Sequence, residues 1–322
     1  MSTPTRILIL DDYQGTSLDC ADWSTLADAK VDVLRETLPD DAQRAERMKD
    51  YEVIVAMRER TPFSKALLGS LPKLRLLVTT GMRNSSIDMR ACAERGVTVC
   101  GAPGSAASAG STAEVAWALI LGLAKHVPEG QAAMHAGHWQ PQTTMSLPGK
   151  TIGIVGLGKL GQQMAKVAAA FGMNVQAWSP NLTPERAAAA GATAVDKKTL
   201  FATSDFVTLH LVLSAATAGV VTRDDIAGMR STAYFINTSR AGLVESGALF
   251  EALKAGKIAG AGLDVFDTEP VQADDPLLTL PNVLASPHVG YVTDDNLRAF
   301  YGNAVRAIGA WQSGAPINVL GV

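Results

Sequence analysis

Short apolar runs alternate along the chain with longer stretches of mixed character. In the first third these runs are Arg6–Leu10, Val31–Leu34, Glu52–Ala56, Leu74–Thr79 and Val97–Cys100. Each is brief and mainly apolar, as strands buried on both faces of a parallel sheet are. Between them, Ala42–Met48 and Ser64–Leu68 read as helices. A second series starts at Thr151–Val155 and continues with Asn174–Trp178, Phe206–His210, Ala233–Asn237, Ala259–Val265 and Asn282–Ala285. The alternation predicts an α/β chain with two Rossmann-like, doubly wound parallel-sheet domains.

Between the two series lies Ser111–Lys125, STAEVAWALILGLAK, with Val115, Leu119, Ile120 and Leu123 at helical spacing on one face. Ser111 followed three residues later by Glu114 predicts an N-cap at Ser111. Such a helix would lie between the domains. Asp294–Ser313 reads as a helix that returns to the first domain. The small residues of Gly101–Gly110 predict a mobile link. There is no repeat of fixed period.

Composition narrows the class. Of 322 residues 47% are hydrophobic and 18% charged, with a net charge of −3, which excludes a disordered chain. It also offers no general attraction to nucleic acid or an anionic membrane, and neither is expected as a partner. No apolar run is read as reaching the roughly 18 residues of a membrane span. The opening MSTPTRILILDD reads as a first strand rather than a secretory signal. Three cysteines without C-x-x-C spacing predict a reducing, cytoplasmic setting, with Cys20, Cys92 and Cys100 as buried small hydrophobes. His126, His135 and His138 fit no metal pattern, and no metal is expected. Trp117, Trp139 and Trp311 read as core or interface residues.

Gly156-Leu157-Gly158-Lys159-Leu160-Gly161 follows one predicted strand, opens a helix over Lys159–Phe171, and precedes a second strand. That is the context of a dinucleotide-binding turn. The first glycine allows the turn, the second lets a pyrophosphate approach, and the third allows helix and strand to pack closely. The helix N-terminus, from Lys159 and Leu160, offers free N–H groups to the phosphates. The next strand ends at Trp178-Ser179-Pro180-Asn181, without the carboxylate that ordinarily binds the adenosine ribose. Ser179 does not repel a 2′-phosphate, and Arg186 is the nearest arginine. The cofactor expected is NAD(P)H, with the balance tipping toward NADP.

Arg240, Glu269 and His288 each fall just beyond a predicted strand end of the glycine-loop sheet. Ligands of open α/β sheets bind there. Singly, each is an ordinary loop residue. Together they suggest a cationic anchor, a proton donor and a carboxylate that orients it.

The order of these motifs resembles the D-isomer-specific 2-hydroxyacid dehydrogenases over nearly the whole chain: the Gly156–Gly161 loop, NTSRAG, LDVFDTEP and SPHVG, with TTGMRNSSID at Thr79–Asp88 and STAE between. The resemblance implies a discontinuous, flavodoxin-like substrate domain from residues 1–102 and 291–322, with an NAD(P)-binding domain, 103–290, inserted. It implies hydride transfer between NAD(P)(H) and C2 of a D-2-hydroxy or 2-oxo acid in a cleft between the domains. Arg240 would bind the substrate carboxylate, His288 would act as general acid and base, and Glu269 would orient His288 and raise its pKa. Asp264 would hold the nicotinamide carboxamide or, on the plainer reading, cap a turn. Thr238, Ser239, His210, Thr217 and Gly290 would line the cofactor; Arg58, Thr80, Gly81 and Met82 would touch substrate. A homodimer is also implied.

Several positions depart from the family's usual pattern. Glu269 argues against formate dehydrogenases, which carry glutamine there. The chain stops before the C-terminal regulatory domain common in phosphoglycerate dehydrogenases, and Arg83-Asn84-Ser85-Ser86 replaces their usual loop. Arg58, Arg60 and Arg83 would suit an anionic tail, so 3-phosphoglycerate stays open as a substrate. Ala241 and Tyr291 replace smaller or more usual residues, and the stretch from Cys100 to Ser111 reads as slightly long. The alternative from another class is a dinucleotide-sensing regulator of the corepressor type.

Overall fold

The computed structural model describes residues 4–321. Contacts divide the chain into two compact units: one runs to Ala109 and resumes at Val292, and the other is Gly110–Tyr291. The first crossing falls after Ala109, not after residue 102. The reason is local: Ser105 N–H donates to Asn296 Oδ1 at 2.9 Å and Asn303 Nδ2 donates to Pro103 O at 2.6 Å. The small-residue stretch is therefore held by the first unit, and Ala107–Gly110 forms a 3-10 turn.

The first unit contains β1 (Thr5–Ile9), β2 (Ala29–Val33), β3 (Val53–Ala56), β4 (Leu76–Thr80) and β5 (Thr98–Ala102). They pair in parallel in the order β2-β1-β3-β4-β5. Ile7 is flanked by Val31 and Val53, which sets the register at the centre. β3 and β4 are buried throughout, whereas edge strand β2 is half-exposed and carries Lys30 and Asp32. Aspartate or serine caps start the helices: Asp40 accepts from Gln43 N, Ser64 from Leu67 N and Asp88 from Ala91 N. The helix Asp294–Gln312, capped by Thr293, packs on β4 and β5 through Phe300, Tyr301, Ala304 and Ala307.

The second unit contains β6 (Thr151–Val155), β7 (Asn174–Trp178), β8 (Thr193–Ala194), β9 (Phe206–Leu209), β10 (Tyr234–Asn237), β11 (Gly260–Leu263) and β12 (Val283–Ala285). The parallel order is β12-β11-β10-β9-β6-β7-β8. The order reverses between β6 and β9, and the carboxyl ends of strands at such a reversal are where open α/β sheets bind ligands. Successive side chains point to opposite faces. Ile152, Ile154 and Ile236 join Leu119, Ile120 and Met164 in one core, while Val155, Val207 and Phe235 join Phe201, Ile226 and Leu253 in the other.

The helix Ser111–Lys125 forms over the expected residues, but Gly110 is its N-cap and no side chain caps it. Ser111 is already inside the first turn. Val115 is only partly buried; Ala116, Leu119, Ile120 and Leu123 carry the packing against β10, β11 and β12. With the preceding 3-10 turn, Ala107–Lys125 reaches 19 residues at mean hydropathy 1.3, long and apolar enough to cross a membrane. This corrects the expectation that no run reaches that length. A helix packed by sheet and helices on several sides has the same composition.

One burial expectation also changes, and the tryptophans divide between the core and the surface. Cys20 is only partly buried because it lies in the loop after β1; Cys92 and Cys100 are buried, and all three are free thiols. Trp117 is buried beside Phe171, but Trp139 is 76% exposed in the irregular segment after the helix Val127–His135.

Phe206 is fully buried and stacks on Tyr234 at 5.6 Å between ring centroids. Phe206→Ala is expected to cost about 3–5 kcal/mol through lost burial and the cavity left behind. Urea unfolding of the variant checks this, and an unchanged midpoint contradicts it.

Candidate active site

The glycine turn follows β6 at the point where the strand order reverses. Gly156 has φ +101, and a Cβ there would lie 2.8 Å from the backbone of His210. The chain after β6 thus passes directly against the chain after β9, and only glycine fits. A Cβ on Gly161 would sit 2.1 Å from Gly156 O, so the third glycine brings the helix Lys159–Ala170 onto the turn. Gly158 faces open space. A pyrophosphate would rest against Gly158 and accept from the helix N–H groups at Lys159 and Leu160.

His210 begins the segment after β9. Burial pushes its imidazole down to about 4, so it is neutral near pH 7. Its Nε2 lies 2.9 Å from Thr208 Oγ1. Thr217 is spent within the same segment: Ser214 N–H donates to its hydroxyl at 2.8 Å, and the hydroxyl donates to Val212 O at 2.6 Å. Ser179 is the first residue past β7, and Arg186 reaches back to donate to Asn181 O at 2.8 Å.

After β10, Asn237 organises the Thr238–Arg240 turn. Its amide donates to Arg240 O at 3.0 Å and its carbonyl accepts from Ser239 N at 3.0 Å. Ser239 Oγ donates to Leu211 O at 2.6 Å, tying this turn to the segment after β9. Thr238 Oγ1 is buried without a hydrogen-bond partner in the described structure. Such a donor is costly unless a bound group completes it, so it suits a cofactor hydroxyl or amide. Arg240 Nη1 donates to Ser239 O at 2.7 Å.

Asp264, the first residue past β11, is fully buried. Its Oδ1 accepts from Ser286 Oγ at 2.5 Å and Val289 N at 2.9 Å, and its Oδ2 accepts from Gly290 N at 3.0 Å. Both oxygens are engaged by the loop after β12, which is the turn-capping role. That loop carries His288 at φ +52, a left-handed conformation uncommon for a residue with a side chain.

His288 Nδ1 and Glu269 Oε2 are 2.5 Å apart, and Glu269 Oε1 accepts from Phe266 N at 3.0 Å. Burial alone would raise the Glu269 carboxyl. The hydrogen bond and charge of His288, the Phe266 N–H and the charge of Arg240 outweigh it, and the carboxyl titrates below its ordinary 4.5. It is therefore ionised at neutral pH, with one oxygen on the imidazole. The other imidazole nitrogen is left for chemistry. Tyr291 packs edge-on against the His288 ring, 5.5 Å between centroids.

Arg58, Thr80, Gly81 and Met82 come together in the first unit. Arg58, at φ +51, donates its N–H to Thr80 Oγ1 at 2.9 Å. Gly81 has φ +97, and a Cβ there would overlap the Arg58 guanidinium, 2.1 Å from Nη1. Met82 is exposed. Asn237, Ser286, Ser111 and Thr112 were not singled out as site residues in the sequence. Asn237 and Ser286 adjoin the motifs there, but their partners become visible only when neighbouring strand ends are brought together. Among the described residues, no group of three His, Cys, Asp or Glu side chains is arranged to hold a metal.

A carboxyl held below its ordinary value stabilises the fold above that value and loses this contribution as pH falls through the folded value. Glu269→Gln should therefore unfold at a lower temperature than wild type at about pH 7, with the gap closing below about pH 4. Thermal melts at both pH values check this; a gap that does not change with pH contradicts it.

The family model described as D-isomer specific 2-hydroxyacid dehydrogenase, NAD binding domain, matches residues 117–290. The chain is 39% identical over 257 residues to a D-3-phosphoglycerate dehydrogenase of Methanocaldococcus jannaschii, across 79% of this chain and 48% of that one. It thus spans about half the length of that relative and of a second phosphoglycerate dehydrogenase, from Archaeoglobus fulgidus. To a hydroxypyruvate reductase of Thermotoga maritima it is 35% identical, across 82% of this chain and 86% of that one. The crystal structure of a phosphoglycerate oxidoreductase from Vibrio cholerae superposes with a TM-score of 0.91 at 38% identity, covering 97% of this chain and 100% of that one. The chain belongs to the D-isomer specific 2-hydroxyacid dehydrogenase family.

Proposed function

We propose that the protein interconverts a small 2-oxo acid and its D-2-hydroxy acid, using a nicotinamide dinucleotide. The observation that carries this reading is the His288–Glu269 pair, 2.5 Å apart, at the carboxyl end of the same parallel sheet as the glycine turn. The reduced dinucleotide supplies the hydride. The Gly156–Gly161 turn with Lys159 and Leu160 would hold its pyrophosphate, Ser179 its adenosine ribose, and Thr238, Ser239 and neutral His210 its nicotinamide half. Arg240 would bind the substrate carboxylate through its planar fork. His288 would deliver a proton from Nε2 to the carbonyl oxygen, and Glu269 would hold Nδ1 and stabilise the imidazolium before transfer. In the oxidative direction Nε2 takes the proton back.

The absence of a carboxylate at the end of β7, with Arg186 folded toward Asn181, supports NADPH over NADH. Arg60, stacked 4.4 Å over Tyr13, and Arg58 bring cationic charge to the first unit, which supports including phosphorylated 2-oxo acids among the substrates. Exposed Val127, Met134 and Trp139 support a homodimer formed by the second unit, and the free thiols support a cytoplasmic setting. The His288–Glu269 pair and Arg240 together weigh against the sensor reading, which calls for no proton donor.

The test is dinucleotide oxidation with glyoxylate, hydroxypyruvate, phenylpyruvate and 3-phosphohydroxypyruvate, each with NADH and NADPH. At least one acid should turn over, faster with NADPH. His288→Ala should lower kcat by about 10²–10⁴-fold with folding intact, and Arg240→Ala should lower kcat and raise the oxo-acid KM. Cofactor binding without turnover of any acid, or wild-type rates in both variants, contradicts the proposal.

A further inference from the structure

The 111–125 helix begins with a serine and a threonine, yet neither caps it. The usual use of such residues is to accept from the helix's own first N–H groups. Here Ser111 Oγ donates to Gly290 O at 2.6 Å, and Thr112 Oγ1 donates to the same carbonyl at 2.9 Å. One carbonyl has two lone pairs, and both are used. The donors are 179 and 178 residues away in sequence.

Gly290 is thereby gripped from both sides. Its N–H donates to Asp264 Oδ2 at 3.0 Å, while its C=O accepts from the two hydroxyls. The space is tight: a Cβ on Gly290 would lie 3.1 Å from Thr112 Oγ1 and 3.2 Å from Asp264 Oδ2, closer than ordinary van der Waals contact. Two residues earlier stands His288 at φ +52. Its left-handed backbone is not one that a histidine prefers by itself, so the surroundings must impose it. Asp264 anchors the loop through Ser286 and Val289, and the hydroxyl pair anchors its far end. Glu269 fixes only the imidazole tip.

We propose that Ser111 and Thr112 are positioning residues for His288, acting through the Gly290 carbonyl rather than touching substrate or cofactor. The proposal rests on His288 being the proton donor. Without the two hydroxyls, a buried carbonyl loses its partners and the loop end is freed to turn toward other donors. A shift of about 1 Å in a reacting group is enough to cost on the order of 10²-fold in rate. The helix loses no capping bond, because no side chain caps it.

The experiment compares Thr112→Val, Thr112→Ser, Ser111→Ala and the double variant Ser111→Ala/Thr112→Val in wild-type and His288→Ala backgrounds. Steady-state kinetics use whichever acid of the panel turns over fastest, and dinucleotide affinity is read by tryptophan fluorescence. In the wild-type background the double variant should lose about 10-fold or more in kcat, with the oxo-acid KM and dinucleotide Kd unchanged. Thr112→Ser should restore the wild-type rate. In the His288→Ala background the double variant should cause no further loss, because the group being positioned is gone. Wild-type kcat in the double variant overturns the proposal, as does an equal loss in both backgrounds or a Kd that rises as kcat falls. If the double variant does not fold, Thr112→Val, which keeps one donor and the side-chain shape, decides: an unchanged kcat overturns the proposal. Failure of His288→Ala to lower turnover would instead overturn the functional reading itself.

Discussion

The carboxylate of Asp264 sits fully buried at the end of β11, with three donors from one loop directed at its two oxygens. A buried charge is tolerated only when it is paired or well hydrogen-bonded. The donors here are Ser286 Oγ and the N–H groups of Val289 and Gly290, so the loop cannot leave without stranding the charge. That obligation fixes the backbone on either side of His288. It converts a strand end, which ordinarily leads into a mobile loop, into a rigid mount for an imidazole.

The neighbouring strand ends serve the same mount. Glu269, six residues past the end of β11, directs one oxygen to Phe266 N and the other to His288 Nδ1. Asn237 closes the turn that presents Arg240, and Ser239 ties that turn to the segment after β9. The charges are arranged with equal economy. Burial keeps His210 neutral, pushed down to about 4, while Glu269 is held ionised beside His288 and Arg240. The net charge of −3 conceals this local pattern, because a whole-chain sum carries no positions.

The framework was legible in the sequence where local pattern decides structure. β6, β7 and the 111–125 helix occupy the expected residues, since each is an apolar run with clear breakers around it. β8 was missed: Thr193–Ala194 is a two-residue edge strand, too short to show a period. Ser111 was expected to cap its helix, and instead its hydroxyl is drawn to Gly290, a partner that only the folded chain supplies. The joint occurrence of Arg240, Glu269 and His288 after strand ends suggested an anchor, a proton donor and an orienting carboxylate, and the family resemblance implied their specific roles. Asn237 went unnoticed because it acts on backbone groups and Ser286 because it acts on a carboxylate 22 residues away; an asparagine or serine in a turn is ordinary without knowledge of what it bonds. Thr217 showed the converse: the resemblance set it beside the cofactor, yet its hydroxyl bonds within its own loop.

The central claim is that Glu269 makes His288 an effective proton donor to the substrate carbonyl. Stopped-flow single turnovers of the enzyme loaded with reduced dinucleotide, mixed with a saturating 2-oxo acid, measure the chemical step directly. Glu269→Gln keeps the side-chain shape and removes its charge. The account predicts that hydride transfer in this variant slows by about 10-fold or more while dinucleotide affinity stays at the wild-type value. Transfer at the wild-type rate with the charge removed would contradict it.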